Sequence, residues 1–234
     1  MNKNLLLLSS SRVGDTAYLD HAKAMISDHL NTIDEVIFIP FAGVTMSNDD
    51  YTDKVADALT DINVSVKGIH SFADPVAAIN NAKAILVGGG NTFNLLNELY
   101  QNNLIPAIQE KVNSGTPYIG WSAGSNIAGM TIRTTNDMPI IQPPSFDALN
   151  LIPVQLNPHY TDYNPPGFNG ETREQRLSEF MVLNPETYIV GIVEGTALKL
   201  SNNKLSLIGP DVGYLFSNQD KQIVNAETDL SYLL

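Results

Sequence analysis

The chain has 234 residues, 43% of them hydrophobic, and no internal repeat, which is enough to bury one large core and leads us to expect a single domain over residues 1–234. Thirteen Lys and Arg against 25 Asp and Glu give a net charge of -12, which repels polyphosphate and anionic lipid and argues against nucleic-acid and membrane partners. There is no cysteine, which excludes disulfides, thiolate nucleophiles and Cys-ligated metals and leaves covalent catalysis to oxygen or nitrogen.

Met1-Asn-Lys-Asn is followed by only four leucines before Ser9. That run is too short for a signal peptide or a membrane span, so it reads as a first buried strand and a cytoplasmic location is expected. Through the first half, short apolar runs alternate with amphipathic stretches. Strands are expected at 5–8, 35–39, 64–69, 84–87 and 117–119, and helices at 15–30, 48–60, 75–80 and 92–114. Asp74-Pro75 and Asn91-Thr92 serve as helix starts and Gly115 as a stop. The outline is an α/β fold, a mostly parallel sheet flanked by helices. After Gly129 come Pro139, Pro143, Pro144, Pro153, Pro158, Pro165 and Pro166, a loop-rich stretch of the kind on which sites are built. A helix over 171–180 follows, then strands near 187–193, 197–201, 204–208, 212–216 and 221–225. Ser201-Asn-Asn-Lys204 reads as a hairpin turn.

Gly120-Trp-Ser122-Ala-Gly124 lies between an expected strand and an expected helix. This is the spacing of a nucleophile elbow, where small neighbours tolerate a strained serine at a helix N-terminus. The Gly-x-Ser-x-Gly spacing also occurs by chance, with Ser122 or Ser125 merely capping a helix, so the strand and helix around it carry the argument. A second glycine cluster, Gly88-Gly-Gly90-Asn-Thr92, lacks both the Gly-Lys-Ser/Thr ending of a P-loop and the spaced glycines of a dinucleotide turn. If its strand neighbours that of Ser122, an oxyanion hole results, with one donor from Gly89 or Gly90 and the other from Ala123.

A serine nucleophile needs a base, and there are four histidines. His21 and His29 fall at polar helix positions and read as surface residues. His70 ends a strand. His159, in Asn157-Pro-His159 within the proline-rich stretch, is the favoured base. Glu194, after an apolar strand and before glycine, is favoured over Asp137 as the acid that orients it.

Together, Gly88-Gly-Gly-Asn-Thr92, Gly120-Trp-Ser-Ala-Gly-Ser125, Asn157-Pro-His159, Gly170-Glu-Thr-Arg-Glu-Gln-Arg176 and Glu194-Gly195 resemble peptidase E, the aspartyl dipeptidase family. The resemblance spans essentially the whole chain. It implies a fold related to class I glutamine amidotransferase domains and hydrolysis of dipeptides with an N-terminal aspartate. It also implies a Ser122-His159-Glu194 triad working without metal or cofactor, with a further part for Asp137. The order Ser, His, acid differs from that of α/β-hydrolases. An acidic substrate in a chain of charge -12 requires a local cation, for which Arg173 is preferred to Arg176. The alternatives are a related hydrolase of another acidic peptide, such as a cyanophycinase, and a non-catalytic binding domain of the same fold. A homodimer is left open.

Overall fold

Leu5–Leu8 (β1) lies at zero exposure along its length, because it is an interior strand of a sheet covered on both faces. Leu5 and Leu7 enter one core and Leu6 and Leu8 the other, as the two-residue side-chain period of a strand requires. The computed structural model describes residues 3–234. Glu35–Ile39 (β2), Ser65–Gly68 (β3), Ile85–Val87 (β4) and Tyr118–Trp121 (β5) join β1 in parallel, in the order β3-β2-β4-β5-β1. Ala197–Ser201 (β8) and Lys204–Ile208 (β9) extend this sheet antiparallel. Their connection places Asn202 at φ 52° and Asn203 at φ 60°, the paired left-handed geometry of the expected hairpin turn.

Helices Lys23–Leu30 (α1), Asn48–Leu59 (α2), Pro75–Asn81 (α3), Thr92–Gln101 (α4), Leu104–Asn113 (α5) and the single turn Ala123–Asn126 (α6) accompany the sheet. Ser47, Asp74 and Asn91 cap α2, α3 and α4 through their side chains. The helix expected over 92–114 is two helices. Asn103 takes a left-handed conformation, φ 54° and ψ 33°, and Pro106 lies in the first turn of α5, where its missing N–H costs nothing. The helix expected from residue 15 begins at Lys23 after a short 3-10 turn. His29, on its last turn, is 5% exposed and therefore not the surface residue its polar character suggested.

A second sheet, in the order β11-β10-β7-β6, is built from Gln155–Pro158 (β6), Ile189–Ile192 (β7), Gly213–Ser217 (β10) and Asp220–Val224 (β11). The strand β6 falls inside the proline-rich stretch read as loop. It is an edge strand ending on Pro158, a position where the absent N–H interrupts no ladder. Arg173–Leu183 (α7) packs on this sheet through Leu177 and Met181. Its start is fixed by a capping box between Thr172 and Gln175. Among the described residues, no helix is long and apolar enough to cross a membrane.

Candidate active site

Ser122 sits between β5 and α6 at φ 53°, ψ -114°, a conformation that non-glycine residues rarely adopt and that is retained only where the surroundings enforce it. The flanking glycines are enforced by contact. A Cβ on Gly120 would lie 2.3 Å from the Gly124 carbonyl oxygen, and one on Gly124 would lie 2.1 Å from that of Val87. The turn is anchored by Ser125, whose buried hydroxyl lies 2.6 Å from the Leu8 carbonyl oxygen and 2.9 Å from that of Gly120.

β4 and β5 are neighbours, with Val87 opposite Gly120, so the Gly88–Gly90 loop leaves the same sheet edge as Ser122. A Cβ on Gly89 would lie 2.9 Å from that of Ser122. The buried Tyr51 hydroxyl donates to the Gly89 carbonyl at 2.8 Å. In a trans peptide the N–H points opposite to the C=O, so the Gly90 N–H faces away from Tyr51. Among the described residues, the N–H groups of Gly89, Gly90 and Ala123 donate to no protein acceptor.

The parallel pairing of β6 with β7 sets Pro158 opposite Ile192 and so brings the residues just beyond, His159 and Glu194, to one sheet end. His159 Nδ1 lies 2.7 Å from Glu194 Oε1, and Nε2 lies 2.9 Å from Ser122 Oγ. An ionised carboxylate only accepts, so Nδ1 carries the proton and Nε2 accepts from the serine hydroxyl. The His159 backbone, at φ 56°, donates to Ser9 Oγ at 2.9 Å, and fully buried Ser9 donates to the Ile192 carbonyl at 2.7 Å. Asp137 is placed otherwise. Its Oδ2 accepts from the Thr92 N–H at 2.7 Å and the Thr92 hydroxyl at 2.5 Å, at the N-terminus of α4, where negative charge is favoured.

A cleft of about 570 Å³ is lined by Ser122, His159, Asp137, Glu194 and Arg173. Arg173 makes no ion pair among the described residues. Burial lowers its pKa, and the charge of Arg176 acts in the same direction. Arg176 is exposed, pairs with Glu171 at 3.7 Å and does not line the cleft. Of the other histidines, His70 pairs with Asp49 at 2.8 Å.

Sequence reading overlooked three supports of this site. Ser9 appeared only as the end of the leucine run. Tyr51 falls inside the helix expected over 48–60, with nothing in the sequence to mark its hydroxyl. Asn157, 1% exposed, donates to the Thr134 carbonyl at 2.7 Å and to Asn136 Oδ1 at 3.1 Å, tying the Asp137 loop to β6. Its signal was a polar residue inside an apolar run beside the candidate histidine.

The same arrangement of elements occurs in known proteins. A putative peptidase E protein from Listeria monocytogenes superposes with a TM-score of 0.67 at 24% identity, covering 90% of this chain and 100% of that one. A peptidase from an acI-B1 Actinobacterium gives 0.71 at 18% identity, covering 98% and 97%. These likenesses bear on the fold. In sequence, the chain is 55% identical over 235 residues to peptidase E of Shewanella baltica, covering 100% of this chain and 99% of the relative. It is 54% identical to peptidase E of Shewanella sp. strain ANA-3, with both chains fully covered. The model of peptidase family S51 matches residues 5–208, a span that includes the Ser122 turn, His159 and Glu194, and the chain belongs to that family.

Proposed function

We propose that this chain hydrolyses dipeptides bearing an N-terminal aspartate through an aspartyl-Ser122 ester. The observation that carries this reading is the unbroken hydrogen-bonded series Ser122-His159-Glu194 in one cleft with Arg173, which has no ion-pair partner among the described residues. Arg173 is the first residue of α7, where the helix dipole disfavours a cation, so guanidinium and helix N-terminus together favour an anion. The aspartate side chain is that anion. Oδ1 of Asp137, in the same cleft, accepts from no group among the described residues and suits the substrate's α-ammonium.

Ser122 Oγ attacks the peptide carbonyl as His159 Nε2 takes its proton. The oxyanion accepts from the N–H groups of Gly90 and Ala123, which have no acceptor among the described residues to give up. As the tetrahedral intermediate collapses, the C–N bond breaks and His159 returns the proton to the leaving amine. Water then attacks the ester, with His159 taking its proton. Aspartate departs and Ser122 recovers its hydrogen. Glu194 holds the imidazole and balances its transient charge.

Catalytic efficiency on Asp-Leu, Asn-Leu and Glu-Leu tests the reading with wild type, Ser122→Ala and Arg173→Met. Asp-Leu should exceed Asn-Leu by at least about tenfold, a value reduced from that of a fully buried pair because Arg173 is half-exposed. Glu-Leu keeps the charge but misplaces the carbonyl. Arg173→Met should erase the Asp/Asn preference and Ser122→Ala should remove turnover. Equal cleavage of Asp-Leu and Asn-Leu by the wild type would exclude charge recognition.

A further inference from the structure

A second cleft, also about 570 Å³, shares only Ser122 and His159 with the Arg173 cleft. Its other walls include Ala42, Val44, Met46, Ile140, Tyr18 and Lys54. We propose that this cleft seats the leaving residue of the dipeptide, an apolar amino acid whose free α-carboxylate is held by Lys54. The proposal rests on the dipeptidase reading above and adds the recognition of the second residue and of its terminus.

Four observations support it. The acyl group and the leaving amine diverge from the attacked carbon, so a nucleophile serving both needs two subsites, and Ser122 borders two clefts. Val44 and Ile140 are 52% and 56% exposed at the lip of the second one, apolar surface that an aliphatic side chain would cover. Lys54 makes no ion pair among the described residues, although Asp50 and Asp57 stand four residues before and three after it on α2. Helical spacing normally joins such charges. Asp50 instead accepts from the Ser47 hydroxyl, and Lys54 Nζ stands 4.3 Å from the centre of the Tyr18 ring. That ring is fixed, since the Tyr18 oxygen accepts from Trp121 Nε1 at 3.0 Å and donates to the Tyr51 oxygen at 3.1 Å.

In a chain of net charge -12, the nucleophile thus lies between two clefts that each hold a cation without an ion-pair partner among the described residues, Arg173 in one and Lys54 in the other. An Asp-X dipeptide carries two carboxylates, one on the side chain and one at the terminus. A longer peptide presents a neutral amide where Lys54 meets the second, so the same lysine favours dipeptides over extended chains.

Steady-state kinetics on Asp-Leu, its C-terminal amide Asp-Leu-NH2 and Asp-Gly, with wild type, Lys54→Met and Lys54→Arg, decide the matter. The wild type should favour the acid over the amide by about tenfold or more, mainly through KM. Lys54→Met should bring Asp-Leu down to the level of the amide and leave the amide unchanged, which a loss of folding would not do. Lys54→Arg should retain the discrimination, and all three proteins should prefer Asp-Leu to Asp-Gly. Persistence of the acid/amide difference in Lys54→Met, or equal use of acid and amide by the wild type, overturns the role of Lys54 alone. Equal use of Asp-Leu and Asp-Gly overturns the apolar pocket. A wild type that cleaves no Asp-X substrate overturns the dipeptidase reading and this one with it.

Discussion

Glu194 and Asp137 show how the same side-chain chemistry is sorted by position. Both carboxylates line the cleft of Ser122, yet only Glu194 reaches His159, at 2.7 Å, while Asp137 is committed to Thr92. Glu194→Gln should therefore lower kcat by about tenfold or more with KM little changed, because an amide orients the ring but does not balance its charge. Asp137→Asn should act mainly on KM if its free oxygen meets the substrate ammonium. Measuring both constants for both variants checks the assignment, and the reverse pattern would exchange the two roles. At this scale the sequence made Ser122 and His159 candidates through their neighbours. It favoured Glu194 as the acid without excluding Asp137, because 35 residues separate His159 from Glu194 along the chain and local spacing says nothing about that distance.

At the scale of elements, β5, α6 and β4 meet with no room for a methyl group. A Cβ on Gly124 would stand 2.1 Å from the Val87 carbonyl oxygen, so Gly124→Ala must push α6 away from β4. We expect a loss of roughly 2–4 kcal/mol, the range of overpacked or strained interior substitutions. Gly167→Ala is the control. Nothing lies within 4 Å of its Cβ, and only its φ of +77° is unfavourable, for a cost of about 1 kcal/mol. Urea denaturation of the two variants measures the difference, and equal midpoints would contradict the packing argument. The elements themselves were mostly legible. Alternating strands and capped helices come from local periodicity, so β1 to β5 and α2 to α4 begin close to where their residues indicate. The break at Asn103 was passed over because both halves of the region are amphipathic, although Asn102-Asn103 followed by Pro106 marks a stop and a new start. The strand β6 was obscured by prolines that an edge tolerates.

For the molecule as a whole, burial of ionisable groups couples stability to pH. His29 is pushed down to about 4, first by burial and then by the charge of Lys199. Its pKa in the folded chain lies below the unfolded value near 6.5, so protonation favours unfolding. The stability contributed by the neutral ring is full above pH about 6.5 and is lost as pH falls toward about 4, amounting to roughly 3 kcal/mol. Thermal unfolding of wild type and His29→Leu across this range checks the sign: the wild-type Tm should fall more steeply with acid than that of the variant. Parallel profiles would remove His29 as the cause.

What the sequence determined by itself is whatever neighbouring residues dictate. The leucine run makes a buried strand, Gly120-Trp-Ser-Ala-Gly124 makes a strained turn into a helix, and the -12 charge makes any cation beside the serine conspicuous. What only the tertiary structure decided is long-range register. The pairing of Val87 with Gly120 and of Pro158 with Ile192 carries Gly90, His159 and Glu194 to Ser122. Burial made Ser9, Tyr51 and Asn157 into supports, and packing set Lys54 over the Tyr18 ring with no ion-pair partner among the described residues. These outcomes depend on strand order and on which polar groups lose their water, free-energy differences that arise only once distant segments pack together.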